Sequence, residues 1–86
     1  MRYETETKLQ PNEVIKLAEE FFGHDLGLAE CEKGDTEAAF EGGGGAVALM
    51  ATPADRSTVV ELLSQEWDTQ AKEFLRQVKG RRRVRR

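Results

Sequence analysis

Four consecutive glycines, Gly42, Gly43, Gly44 and Gly45, separate two strictly alternating segments and restrict this chain more than any other feature. Before them, Thr36, Ala38 and Phe40 alternate with Glu37, Ala39 and Glu41. After them, Val47, Leu49 and Ala51 alternate with Ala46, Ala48 and Met50. A period of two belongs to a strand with one buried face. Glycines between two such runs predict a hairpin, where they supply positive φ, a bulge or a close backbone approach. A phosphate-binding loop is a poor fit. It needs Gly-Lys-Ser/Thr or a following helix, and here Ala46 and Val47 open a strand.

The remaining chain extends this hairpin into an α+β domain. Over residues 2–9, Tyr3, Thr5, Thr7 and Leu9 share one side, and Arg2, Glu4, Glu6 and Lys8 the other. This is a half-buried strand. Pro11 suits a first helical position and Glu13 a first turn. Val14, Leu17, Ala18, Phe21 and Phe22 follow at helical spacing, which predicts a helix over about residues 11–23 with Gly23 as its C-cap. Ala29 and Cys31 share one face of a short second strand. Lys33, Gly34 and Asp35 make a tight turn. Residues 57–65 form a β-branched strand with Thr58, Val60 and Leu62 opposite Val59, Glu61 and Leu63. Trp67, Ala71, Phe74, Leu75 and Val78 then make an amphipathic stripe, with Asp68 or Glu66 available to its N-terminus. The expected order is β-α-β-β-β-β-α, a curved antiparallel sheet packed by two helices. The helices either lie side by side on one face, or the sheet curls around the last one.

The strand over residues 2–9, the helix from Pro11, the hairpins and the helix from Trp67 to Val78 together resemble a truncated helix-grip fold. That class includes START-type and pollen-allergen-type lipid-binding proteins. The resemblance implies an apolar ligand between sheet and last helix, in a cavity lined by Phe40, Leu49, Leu62, Trp67 and Phe74. A filled core would use the same residues.

Charge divides the chain in two. Of its 13 basic residues, six (Lys79, Arg81, Arg82, Arg83, Arg85 and Arg86) fall in the last eight positions. That leaves seven against all 16 acids in residues 1–78, a net charge of -9 there. We therefore expect a single domain over residues 1–79 and a basic, disordered tail over residues 80–86. Such a tail contacts polyanions through phosphate charge, without reading base sequence. Nucleic acid and acidic proteins are its candidate partners. A membrane is a poor one, because Val84 is the sole apolar residue among the arginines. The acidic body opposes nucleic acid and can draw the arm back onto itself. The longest apolar run, residues 46–51, is too short to span a bilayer. No export signal is evident and the single Cys31 forms no internal disulfide, so a cytoplasmic location is expected.

Catalytic and metal-binding patterns are weak. His24 has no companion imidazole and reads as a surface or capping residue. Cys31, beside Ala29, reads as a small apolar strand residue. Neither supports a metal site or a thiol–imidazole pair. Glu61, Glu66, Asp68 and Glu73 read as surface and cap acids rather than an acid–base pair. The expectation is therefore a small non-catalytic module with no metal or cofactor. Because 86 residues leave little to cover both sheet faces, the second apolar faces, Val59 with Leu63 and Ala46 with Ala48 and Met50, predict a twofold homodimer through a sheet edge or the less-covered sheet face. The alternatives are an apolar-ligand binder and weak nucleic-acid contact through the tail.

Overall fold

The computed structural model describes residues 1–80. The chain runs β1 (Arg2–Thr7), α1 (Pro11–Ala18), a π-helical segment (Glu19–Asp25), β2 (Ala29–Lys33), β3 (Glu37–Gly42), β4 (Gly45–Pro53), β5 (Thr58–Gln65) and α2 (Asp68–Gly80). The strands make one sheet in the order β1-β5-β4-β3-β2, with every neighbouring pair antiparallel. This is the α+β class and element order that the periodicities predict.

The glycines act as a turn. Gly43 and Gly44 have φ of 59° and 84°, the two successive positive values of a type I′ hairpin, whose twist matches its flanking strands. Gly42 and Gly45 face each other across the turn, which fixes Ala39 opposite Ala48 and Glu37 opposite Met50. The indole Nε1 of Trp67 donates to the Gly42 carbonyl at 2.9 Å, so the same turn anchors the approach to α2.

The first helix departs from expectation. Pro11 opens α1, and the Gln10 amide donates to the Glu13 carboxylate at 2.6 Å. From Glu19 the helix widens to π geometry, and the Leu26 amide reaches the Phe21 carbonyl at 3.0 Å. Gly23 therefore lies inside the segment rather than capping it, and the positive φ falls at Gly27, at 76°. In this wider turn the adjacent rings of Phe21 and Phe22 both reach Phe74 of α2, with centroids 5.7 and 5.1 Å away.

Both helices pack side by side on one sheet face. Val14, Ile15, Ala18 and Phe22 from the first helical region meet Ala71, Phe74, Leu75 and Val78 from α2 over Phe40, Val47, Leu49, Ala51, Val60 and Leu62. Trp67 precedes α2, and its carbonyl accepts the Ala71 amide at 2.8 Å. At the other end, the buried Thr7 hydroxyl donates to the Val78 carbonyl at 2.9 Å. Those bonds place α2 along β1 and β5 and leave the opposite sheet face uncovered.

Candidate interaction surface

Pleating sends alternate residues of each strand to the uncovered face. The register then arranges them in rows across the sheet. One row, from β1 to β2, reads Arg2, Leu63, Ala48, Ala39 and Glu32. The next reads Glu4, Glu61, Met50 and Glu37. A third holds Glu6, Val59 and Thr52. Leu63 and Met50 are 55% and 47% exposed. Beside them lies a depression of about 200 Å³ at Ala39 and Ala48, bounded by Leu63, Met50, Arg2, Glu61, Glu37 and Glu32. The face therefore has an apolar middle, a large side chain next to a shallow seat, and a charged rim.

Among the described residues, six strand glutamates reach this face (Glu4, Glu6, Glu32, Glu37, Glu41 and Glu61), against the single strand base Arg2. The Arg2 guanidinium donates to the Glu61 carboxylate. Both sheet edges are guarded. β1 carries Glu4 and Glu6. β2 is exposed throughout and carries Glu30 and Glu32 around an irregularity at Cys31. Charges and a bulge on an edge strand discourage edge-to-edge pairing.

The other sequence candidates are dispersed. Phe40, Leu49, Leu62 and Phe74 belong to the core cluster, where the buried Phe22 ring lies 5.7 Å from Phe40 and 5.1 Å from Phe74. Trp67 packs against the edge of that cluster. Lys79 is exposed in the last turn of α2. Arg81, Arg82, Arg83, Arg85 and Arg86 lie outside the described residues. His24 pairs with Asp25 at 3.1 Å on the surface. Cys31 is exposed rather than apolar-facing, because it lies at the irregularity of an edge strand. Local desolvation and the Glu41 carboxylate push its thiol above the usual range, which disfavours the nucleophilic thiolate.

The carboxylates likewise form no acid–base pair. Glu61 faces Arg2, whereas Glu73 accepts from Arg76 and Gln77 on α2 and is held below the usual carboxylate range by them. Asp68 lies beside Tyr3, whose phenol is pushed up by burial and by that charge. On the helix side, Lys33 reaches Glu19 at 3.0 Å and lowers it. Desolvation, with Glu19 close by, raises Glu30. Among the described residues no group of three or more His, Cys, Asp or Glu side chains is placed to hold a metal, and no helix is long and apolar enough to cross a membrane.

Periodicity marked Leu63, Val59, Met50 and Ala48 as second apolar faces and assigned Arg2, Ala39 and Glu37 to a side of their own strands, but it did not join these or Glu32 to one surface. The two-residue turn carried part of the missing signal. Once Gly43 and Gly44 are its centre, Ala39 must oppose Ala48. No family model, curated protein or solved structure matches this chain.

Proposed function

We propose that this protein is a small non-catalytic interaction module that acts by pairing with a second copy of itself through the uncovered sheet face. The observation that carries the reading is the row Leu63, Ala48 and Ala39, with Leu63 and Met50 exposed beside it while both helices occupy the opposite face. Large apolar side chains gathered on one face mark a contact surface. The guarded edges favour the face over the edges. Six glutamates make it a poor surface for nucleic acid or an anionic membrane, and facing a second set of six they also weaken the pairing of two copies. A five-strand face buries on the order of 1,000 Å² in total when two copies stack, at the low end for a stable interface. The dimer is therefore weak and concentration-dependent.

Sedimentation equilibrium across the micromolar range tests this. The wild-type mass should rise toward twice the chain mass, and Leu63→Asp should stay monomeric with an unchanged urea midpoint. A wild-type chain that stays monomeric at several hundred micromolar overturns the reading.

A further inference from the structure

We infer that the two copies stack about a twofold axis running along β4, so that Leu63 of each sits on Ala39 of the other and Arg2 of each meets Glu32 of the other. The inference rests on the self-association proposed above and gives it a register.

The argument begins with strand order. β4 is the middle strand of five, with β5 and β1 on one side and β3 and β2 on the other. When two sheets stack face to face about an axis along the middle strand, β5 lies over β3 and β1 over β2. The row Arg2, Leu63, Ala48, Ala39, Glu32 is then read against its own reverse. Ala48 meets Ala48 on the axis. Each Leu63 is set over the depression at Ala39 and Ala48, whose volume of about 200 Å³ accommodates its branched end. Large against small is how facing sheets interdigitate at their spacing of about 10 Å.

Charge along this row favours the same arrangement, whereas the next row, read against its own reverse, sets Glu61 of each copy against Glu37 of the other. The first row ends in a base on one side and an acid on the other. Reversal about β4 brings these unlike ends together. A stack about an axis across the strands would instead set Arg2 against Arg2 and Glu32 against Glu32. Sheet twist spreads stacked sheets apart at their margins, and long arginine and glutamate side chains suit that wider gap. Arg2 already pairs with Glu61 of its own chain, so on stacking it also shields Glu61 from the acids opposite. A twofold axis makes each contact twice.

The test uses two full-length variants, Arg2→Glu and Glu32→Arg. Alone, each places like charges opposite each other at both ends of the row. Mixed in equal amounts, they form a heterodimer in which both ends are complementary. An exposed charge contact changes affinity by about threefold, so two symmetry-related contacts change it by about tenfold. We expect each variant alone to dimerise about tenfold more weakly than wild type, and the mixture to restore most of the loss. Lys16→Glu and Glu20→Lys, on the exposed side of the helical layer, supply a control mixture with no heterodimer preference. Urea unfolding of each chain separates lost folding from lost association. A wild-type dimer whose row variants show no more heterodimer preference than the control mixture overturns the twofold register while leaving self-association standing. A wild-type monomer overturns self-association itself.

Discussion

At Gly45 an added Cβ would lie 2.1 Å from the Gln65 carbonyl oxygen and 2.6 Å from Cβ of Glu66. Backbone cannot move aside as a flexible side chain can. Gly43 differs: its Cβ would lie 2.8 Å from the Trp67 ring, at a φ of 59°. Gly44 has open space around it and only the backbone penalty of a φ of 84°. Alanine substitutions should rank accordingly in urea unfolding. Gly44→Ala should cost about 1–2 kcal/mol from its left-handed backbone alone. Gly43→Ala should cost more and shift Trp67 fluorescence. Gly45→Ala should cost at least about 3 kcal/mol, placing it among the large single-residue effects. The sequence carried the need for glycine here. It did not carry which neighbour each one faces, because Trp67 and Gln65 arrive from twenty or more positions away.

The amphipathic stripe of α2 was legible from spacing alone. Its Ala71, Phe74 and Val78 are buried and pack against β1, β5 and the π-helical segment. Phe74→Ala removes the ring that Phe21 and Phe22 both touch. It should lower stability by about 3–5 kcal/mol in urea unfolding, and a loss under about 1 kcal/mol would make α2 peripheral. The solvent side of the same helix sets a smaller effect. Arg76 and Gln77 hold the Glu73 carboxyl below its ordinary value of 4.5. Its contribution to stability is therefore present above that value and lost as pH falls through the lowered one. Glu73→Gln should therefore lower stability slightly near pH 7, flatten the acid limb of the curve and converge with wild type at low pH. The π-helical segment was not legible, because Val14, Leu17, Ala18, Phe21 and Phe22 also satisfy an ordinary helical stripe. Aromatic packing on Phe74 accompanies the departure, and that contact is tertiary.

For the molecule as a whole, charge is segregated along the chain: -9 over residues 1–78 and six bases in the last eight positions. An acidic body repels polyanions, so any binding of RNA, DNA or heparin depends on the basic residues at the end. Replacing Arg81, Arg82, Arg83, Arg85 and Arg86 by glutamine should abolish heparin and duplex DNA binding at low salt without changing the urea midpoint. With about five phosphate contacts, the intact chain's log affinity should fall against log salt with a slope of about -4 to -5. Equal binding by the two chains would move the polyanion site onto the folded body.

Alternation, helical spacing and the glycine turn determined the α+β class, the order of the elements and the inward face of nearly every strand. These are local properties, set by how a side chain's direction repeats along its own backbone. Only the tertiary structure decided that β1 lies against β5, that β2 stands exposed at the far edge with Cys31 in water, and that Arg2, Leu63, Ala48, Ala39 and Glu32 share a row. Arg2 and Leu63 stand far apart in sequence, so nothing in their local pattern relates them. Their alignment comes from strand pairing and from the burial of one common core, in which every strand's register must agree with the others at once.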